Sequence, residues 1–69
     1  MDKIFIRDEF IKLGQALKLS GEVSSGVDAK FIIGDGLVKV NKETCTQRGK
    51  KLYEGDIIEF KGKEYIICK

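Results

Sequence analysis

With 69 residues, the chain has room for one hydrophobic core and no second lobe. A domain of this size buries only about 60% of the surface that its unfolded chain exposes, so little apolar area can be left unused. The two cysteines, Cys45 and Cys68, form neither a C-x-x-C pair nor a secreted-type disulfide framework, which predicts reduced, structural thiols. We therefore expect one domain over residues 1–69.

The whole sequence contains no proline, and glycine marks the ends of the predicted elements in its first third. Residues 3–6 are β-prone and alternate in polarity, which predicts a first strand. An apolar stripe with i, i+3 and i+7 spacing then predicts a helix that Asp8 caps and Gly21 ends. This stripe contains Phe10, Leu13 and Leu17.

A second helix is predicted to begin at Ser25. Asp28 follows Ser25 by three residues and completes a capping box with the shorter acid. Gly34 and Gly36 end the helix and turn the chain. The side chains that this helix turns toward the core are Ala29, Ile32 and Ile33.

The second half of the sequence predicts a small sheet. Apolar and polar residues alternate in three segments, which predicts strands over residues 37–40, 56–60 and 63–69. A lysine-flanked glycine at 61–63 suits a tight hairpin between the last two. Together with the helices this predicts an α+β fold, in which two helices pack on a small, mainly antiparallel sheet. Tyr53 is expected to brace a strand, with base stacking as the alternative. The aromatic residues predicted for the core are Phe10, Phe31 and Phe60.

Motifs for catalysis are missing from the sequence. The chain has no histidine, which is the commonest general base and the commonest metal ligand. Two isolated cysteines do not make a tetrahedral zinc site, and the spacing of Gly21 and Gly26 imitates a phosphate loop without its lysine. We expect a protein that is not an enzyme and that uses no cofactor, metal or small-molecule substrate.

Positive charge is concentrated in the middle of the sequence. The formal net charge of +2 divides into −1 for residues 1–11, +4 for residues 12–52 and −1 for residues 53–69. This asymmetry favours a polyanionic partner, although lysine-rich solvated faces are common in proteins. No apolar run approaches the roughly 20 residues of a membrane span, and no signal-peptide pattern is present. We expect a cytoplasmic protein with no membrane partner.

Residues 12–41 resemble the RNA-binding domain named after ribosomal protein S4 of the small subunit. That family has the pattern R-L-D-x-x-L-x-x-x-G-L-A-x-S-R-x-x-A-x-x-L-I-x-x-G-x-V-x-V-N, followed later by a G-D-x-I element. Without a gap, the chain matches it at Lys12, Leu13, Leu17, Gly21, Ser25, Ala29, Ile32, Ile33, Gly36, Val38, Val40 and Asn41, and then at Gly55, Asp56 and Ile58. The resemblance covers residues 12–60 and implies the alpha-L type of RNA-binding fold, as in the short stand-alone bacterial members.

Four departures from the family bear on RNA binding. Gly14 replaces an acidic residue, and residues 22–23 replace Leu-Ala. Gly26 replaces the arginine after the serine, at the start of the second helix, where the family commonly contacts RNA. Lys42 replaces a glycine and adds a cation near the turn.

The resemblance implies an RNA-binding face made from the two helices and the turn that follows the next strand. The predicted RNA-binding residues are Lys12, Gln15, Lys18, Ser25, Gly26, Lys30, Asn41, Lys42, Arg48, Lys50 and Lys51. Three of these cations surround Gly49, and we expect a flexible loop that engages phosphates rather than a solvated hairpin loop.

The expected function is non-catalytic binding of structured ribosomal RNA, or of a ribosome assembly intermediate, by a monomer. The ribosomal subunit is a further expected partner. Two alternatives stay open at this point. One is a protein-interaction adapter that keeps the fold and has lost its RNA site, for which the glycine at position 26 is the argument. The other is a general binder of transfer RNA or single-stranded RNA.

Overall fold

Seven short strands and two helices follow one another in a computed structural model that describes residues 1–69. In chain order they are β1 (Asp2–Phe5), β2 (Ile11–Lys12), α1 (Leu13–Ser20), α2 (Gly26–Gly34), β3 (Val38–Val40), β4 (Glu43–Thr44), β5 (Lys51–Leu52), β6 (Ile57–Phe60) and β7 (Lys63–Cys68). Neither helix has the length and apolar character that crossing a membrane requires.

Five of the strands form the main sheet, in the order β1-β7-β6-β3-β4, while β2 pairs with β5 in a separate two-stranded sheet. Every pair is antiparallel except β1 with β7, which run parallel. The predicted α+β fold with a mainly antiparallel sheet is confirmed. The hairpin at 61–63 is also confirmed, because Phe60 pairs with Lys63 and both residues between them have positive φ, as a two-residue hairpin turn needs.

Helix α1 begins at Leu13, so the prediction that Asp8 caps it is wrong. The residues just before the helix pair with β5 instead of continuing the helix. The Leu13 N–H donates to the carbonyl of Lys50 at 2.9 Å, and the Gly14 N–H donates to the carbonyl of Arg48 at 3.0 Å. The first N–H groups of a helix have no partner within it, and here a segment far away in the sequence supplies their acceptors.

The other helix ends follow the sequence prediction. Gly21 ends α1 in the left-handed region at φ +86°, which glycine adopts cheaply. The Ser25 hydroxyl accepts the Asp28 N–H at 3.2 Å and caps α2. Both signals are local, which is why the sequence contained them.

A core of 15 buried side chains joins the helices to one face of the sheet. Val38 and Val40 are buried and Lys39 between them is exposed, as the alternation predicted. Residues contributed by the helices include Leu13, Ala16, Leu17, Ala29 and Ile33.

Phe31 is 63% exposed, so its predicted place in the core is wrong. At 100° per residue, Phe31 lies about 200° around α2 from both Ala29 and Ile33, which are fully buried. Its ring therefore projects from the opposite side of the helix. Of the other two aromatic residues predicted for the core, Phe60 is buried and Phe10 is partly buried.

A polar contact ties the connection between the helices to the sheet. The Tyr65 hydroxyl donates to the Glu22 carboxylate, which also lies 3.5 Å from the Lys63 ammonium. Chiefly because of the Tyr65 hydrogen bond, the pKa of Glu22 is lowered from its ordinary value of 4.5. The same bond, with burial of the ring, raises the pKa of Tyr65 to about 12.

This contact predicts that stability declines at both ends of the pH range. A carboxyl with a lowered pKa stabilises the fold above its ordinary pKa of 4.5, and this contribution is lost as the pH falls through the folded value. A tyrosine with a raised pKa stabilises the fold below its ordinary 10, and this contribution is lost as the pH rises toward about 12. Urea unfolding of the wild type and Glu22→Gln between pH 3 and 7 is expected to show a flatter acid limb for the variant.

Glu54→Gln is the control for that measurement, because Glu54 is exposed. If Glu22→Gln and the control keep the same acid limb as the wild type, the contact with Tyr65 does not set the pH dependence.

Candidate nucleic-acid interface

A cleft of about 450 Å³ opens where α1, α2 and the β4–β5 connection meet. We call it the cationic cleft, and its lining residues are Lys12, Gly14, Gln15, Lys18, Gly26, Ala29, Arg48 and Gly49. Five of the predicted RNA-binding residues thus lie together, although they come from three separate parts of the sequence.

Secondary structure and backbone hydrogen bonds position the side chains of the cationic cleft. Gln15 and Lys18 are three residues apart on α1 and therefore share one side of the helix. Lys12 precedes the helix at its N-cap position. Arg48 is held near them because its carbonyl accepts the Gly14 N–H. The segment that is predicted to be a flexible, phosphate-binding loop is thus hydrogen-bonded to the start of α1.

None of the cations of the cleft is paired with a carboxylate. The one ion pair in the structure joins Lys63 to Glu22, away from the cationic cleft. Lys12 faces Lys51 across the β2–β5 pair, and like charges directly opposite each other in an antiparallel pair destabilise it. The Lys51 ammonium lies 4.8 Å from the centroid of the Phe10 ring. The positive charge of this region is therefore open to a counter-ion from outside the protein.

The N-terminus of α2 adds backbone donors to the cationic cleft. The N–H groups of Gly26 and Val27 belong to the first turn, where a helix supplies no acceptor, whereas Ser25 already accepts the N–H of Asp28. No atom outside the adjoining residues and the local helix backbone lies within 4 Å of the position that a Cβ on Gly26 would occupy. An anion can therefore approach the backbone closely at this point.

Gly14 leaves the arginine of the cleft without an internal partner. A Cβ at this position would lie 3.6 Å from the Cγ of Arg48. An acidic side chain at position 14, as in the family pattern, would therefore begin beside the aliphatic part of the Arg48 side chain. With glycine there, Arg48 forms no ion pair within the protein.

Two further clefts contain other predicted residues. Lys30 shares a cleft of about 430 Å³ with Arg48, which therefore borders both this cleft and the cationic cleft. Asn41 and Lys50 line a third cleft, of about 420 Å³. Lys42 lines none of these clefts and lies in the turn between β3 and β4 with φ +72°.

The amide of Asn41 is occupied by contacts within the protein. Its side-chain NH₂ donates to Asp56 at 3.1 Å, and its side-chain oxygen accepts the Ile57 N–H at 3.0 Å. These bonds join the turn after β3 to the start of β6. The side chain of Asn41 therefore stabilises the fold.

Phe31 is an aromatic residue beside the site that is not among the predicted RNA-binding residues. It lines the cleft that contains Lys30 and Arg48. Its angle around α2 from Ala29 and Ile33 was the available signal, and the general preference of aromatic rings for the core outweighed it.

Comparisons with known proteins match one family. The S4 domain matches residues 4–68. The chain is 46% identical over 59 residues to the Bacillus subtilis (strain 168) protein named "Probable ribosome maturation protein RlbA", and the match covers 86% of this chain and 83% of that protein.

Two solved structures have a similar fold. The first is the solution structure of YbcJ from E. coli, which revealed an alpha-L motif involved in RNA binding. The match has a TM-score of 0.75 and 28% identity, and it covers 100% of this chain and 89% of the YbcJ chain. The crystal structure of the 30S ribosomal protein S4e from Thermoplasma acidophilum has a TM-score of 0.65 and 28% identity. It covers 87% of this chain, which spans 32% of that larger protein.

Proposed function

This chain belongs to the S4 domain family, and from that premise we propose that it binds RNA through the cationic cleft without catalysing a reaction. The observation that carries the proposal is the convergence of Lys12, Lys18 and Arg48 in one cleft that holds no carboxylate partner. Phosphate groups are the ligands that such a cluster neutralises best, and they dominate the affinity of proteins for nucleic acids.

Structured ribosomal RNA, or a ribosome assembly intermediate, is the target that we propose. The relative in Bacillus subtilis carries the name of a ribosome maturation protein, and the motif of YbcJ is involved in RNA binding. The first supports a role connected with the ribosome, and the second supports RNA binding. We further propose that residues 1–69 act as a single domain, since one core joins the helices to the sheet, and that the protein is a monomer.

Salt dependence follows from the number of phosphates that the cations neutralise. The proposed RNA-binding cations are Lys12, Lys18, Lys30, Lys42, Arg48, Lys50 and Lys51, and the proposed polar groups are Gln15, Ser25 and Gly26. The amide of Asn41 is left out, because its contacts with Asp56 and Ile57 already occupy it. If about four to six of the cations contact phosphates, the logarithm of the affinity falls with the logarithm of the salt concentration at a slope of roughly −0.7 to −0.9 per contact.

The test is sedimentation of the tagged protein through ribosome gradients at low and high salt, followed by sequencing of the RNA that cross-links to it. We expect co-sedimentation with a ribosomal particle at low salt and enrichment of one region of ribosomal RNA. Cross-links dominated by transfer RNA would support a general RNA binder instead. Co-sedimentation that resists high salt and gives no cross-linked RNA would support a protein-interaction adapter.

Gly26→Arg is expected to strengthen RNA binding by about 3- to 10-fold, because a charged hydrogen bond to phosphate adds on the order of 1 kcal/mol. A Cβ on Gly26 would meet no side chain within 4 Å, so we expect position 26 to accept a larger residue. Leu37→Arg is the matched control, since it adds the same charge at an exposed position that lines none of the clefts. Equal gains for both variants, measured by filter binding at one salt concentration, would contradict the proposed site.

A further inference from the structure

An exposed aromatic ring lies next to the cationic cleft. Phe31 is 63% exposed on the side of α2 that faces away from the core, where burial of its ring contributes little to stability. The cleft beside it has a volume of about 430 Å³, within the range of about 300–1,000 Å³ that is typical of small-ligand sites.

We call this cleft of about 430 Å³ the second cleft, and Phe31 is the one apolar side chain that lines it. Besides Phe31, the residues that form it are Lys30, Gly34, Asp35, Thr46 and Arg48. A groove for an apolar helix of a protein partner needs a row of apolar side chains. One aromatic ring in a cleft with two cations fits a nucleotide better, because a base stacks on a ring while its phosphate is neutralised beside it.

We propose that this second cleft receives an unpaired base of the bound RNA, which stacks on Phe31 while Lys30 and Arg48 hold the adjacent phosphate. This inference rests on the proposed function, because Arg48 borders both clefts and a bound strand passes from one to the other. Asp35 and Thr46 lie at the same cleft, where the carboxylate and the hydroxyl can accept hydrogen bonds from amino groups of a base. The ligand is therefore a loop or a bulge rather than a continuous duplex.

Gly34 keeps this cleft open. It lies in the last turn of α2, and no atom outside the adjoining residues and the local helix backbone lies within 4 Å of the position that its Cβ would occupy. A larger side chain at position 34 is therefore expected to extend into the space proposed for the base. We expect Gly34→Leu to fill part of the cleft and to leave the fold intact.

The chain contains no tryptophan, so Phe31→Trp creates a single fluorescent reporter at the proposed stacking position. The probes are an RNA hairpin with an unpaired adenine loop and a blunt duplex of the same stem, at about 50 mM salt. We expect the hairpin to quench the emission of Phe31→Trp and the duplex to leave it unchanged. Leu37→Trp is the control, since Leu37 is 57% exposed and lines none of the clefts.

Affinities measured with the same probes complete the test. Phe31→Leu and Gly34→Leu are expected to bind the hairpin about 5- to 30-fold more weakly and the duplex with unchanged affinity, since one stacked base is lost. The stacking site would be overturned if both variants bound the hairpin with wild-type affinity and the hairpin did not quench Phe31→Trp. The proposed function would remain in that case. Failure of the wild type to bind either RNA would overturn both proposals.

Discussion

Replacing Lys12, Lys18 and Arg48 together by glutamine is expected to weaken RNA binding by about 100-fold at 50–100 mM salt, since each charged contact contributes on the order of 1 kcal/mol or more. The three side chains line one cleft, and none of them stabilises the protein through an ion pair. Removing them therefore leaves no carboxylate unpaired, and the fold is expected to keep its stability. The log–log slope of affinity against salt flattens by roughly two to three units, because three phosphate contacts are lost.

The matched control is the triple replacement of Lys3, Lys61 and Lys69 by glutamine. It changes the net charge equally, and none of these residues lines the cationic cleft. Fluorescence anisotropy with a labelled ribosomal RNA hairpin at several salt concentrations measures both variants. If the control loses as much affinity as the cleft variant, net charge explains the binding and the cleft does not.

Leu17→Ala is expected to lower the free energy of unfolding by about 2–5 kcal/mol, through lost burial and the cavity that remains. Leu17 is fully buried between the helices and the sheet. For a domain of this size the whole stability is only about 3–10 kcal/mol, at roughly 0.05–0.15 kcal/mol per residue. The variant is therefore expected to be partly or fully unfolded at 37 °C, and urea denaturation followed by circular dichroism measures the loss.

Leu19→Ala serves as the control for this prediction. Leu19 lies two residues further along α1 and is 63% exposed, so the same substitution is expected to change stability by no more than about 0.5 kcal/mol. Similar losses for the two variants would mean that the described packing of α1 is incorrect.

Local signals predicted most of the elements correctly. Gly21 ends α1, Ser25 caps α2, and the alternation at Val38 and Val40 gives β3 its buried face. Each of these features depends on hydrogen bonds or periodicities that extend over a few residues. Such interactions can be read from neighbouring letters of the sequence.

Elements that depend on distant partners were predicted less well. The start of α1 is set by the carbonyls of Arg48 and Lys50, which are remote in sequence from the helix that they cap. The parallel pairing of β1 with β7 joins the two ends of the chain. Local propensity contains no information about such contacts, because their partners are chosen by the packing of the whole domain.

The candidate site, like the fold, was predictable from the sequence only in part. The identity of the cations and their excess in residues 12–52 were visible in the sequence, because charge is a property of each residue alone. The structure decided that Lys12, Lys18 and Arg48 share one cleft while Lys42 lies outside it, and that Phe31 faces solvent. These are facts about relative position, which arises only when the core brings α1, α2 and the β4–β5 connection together.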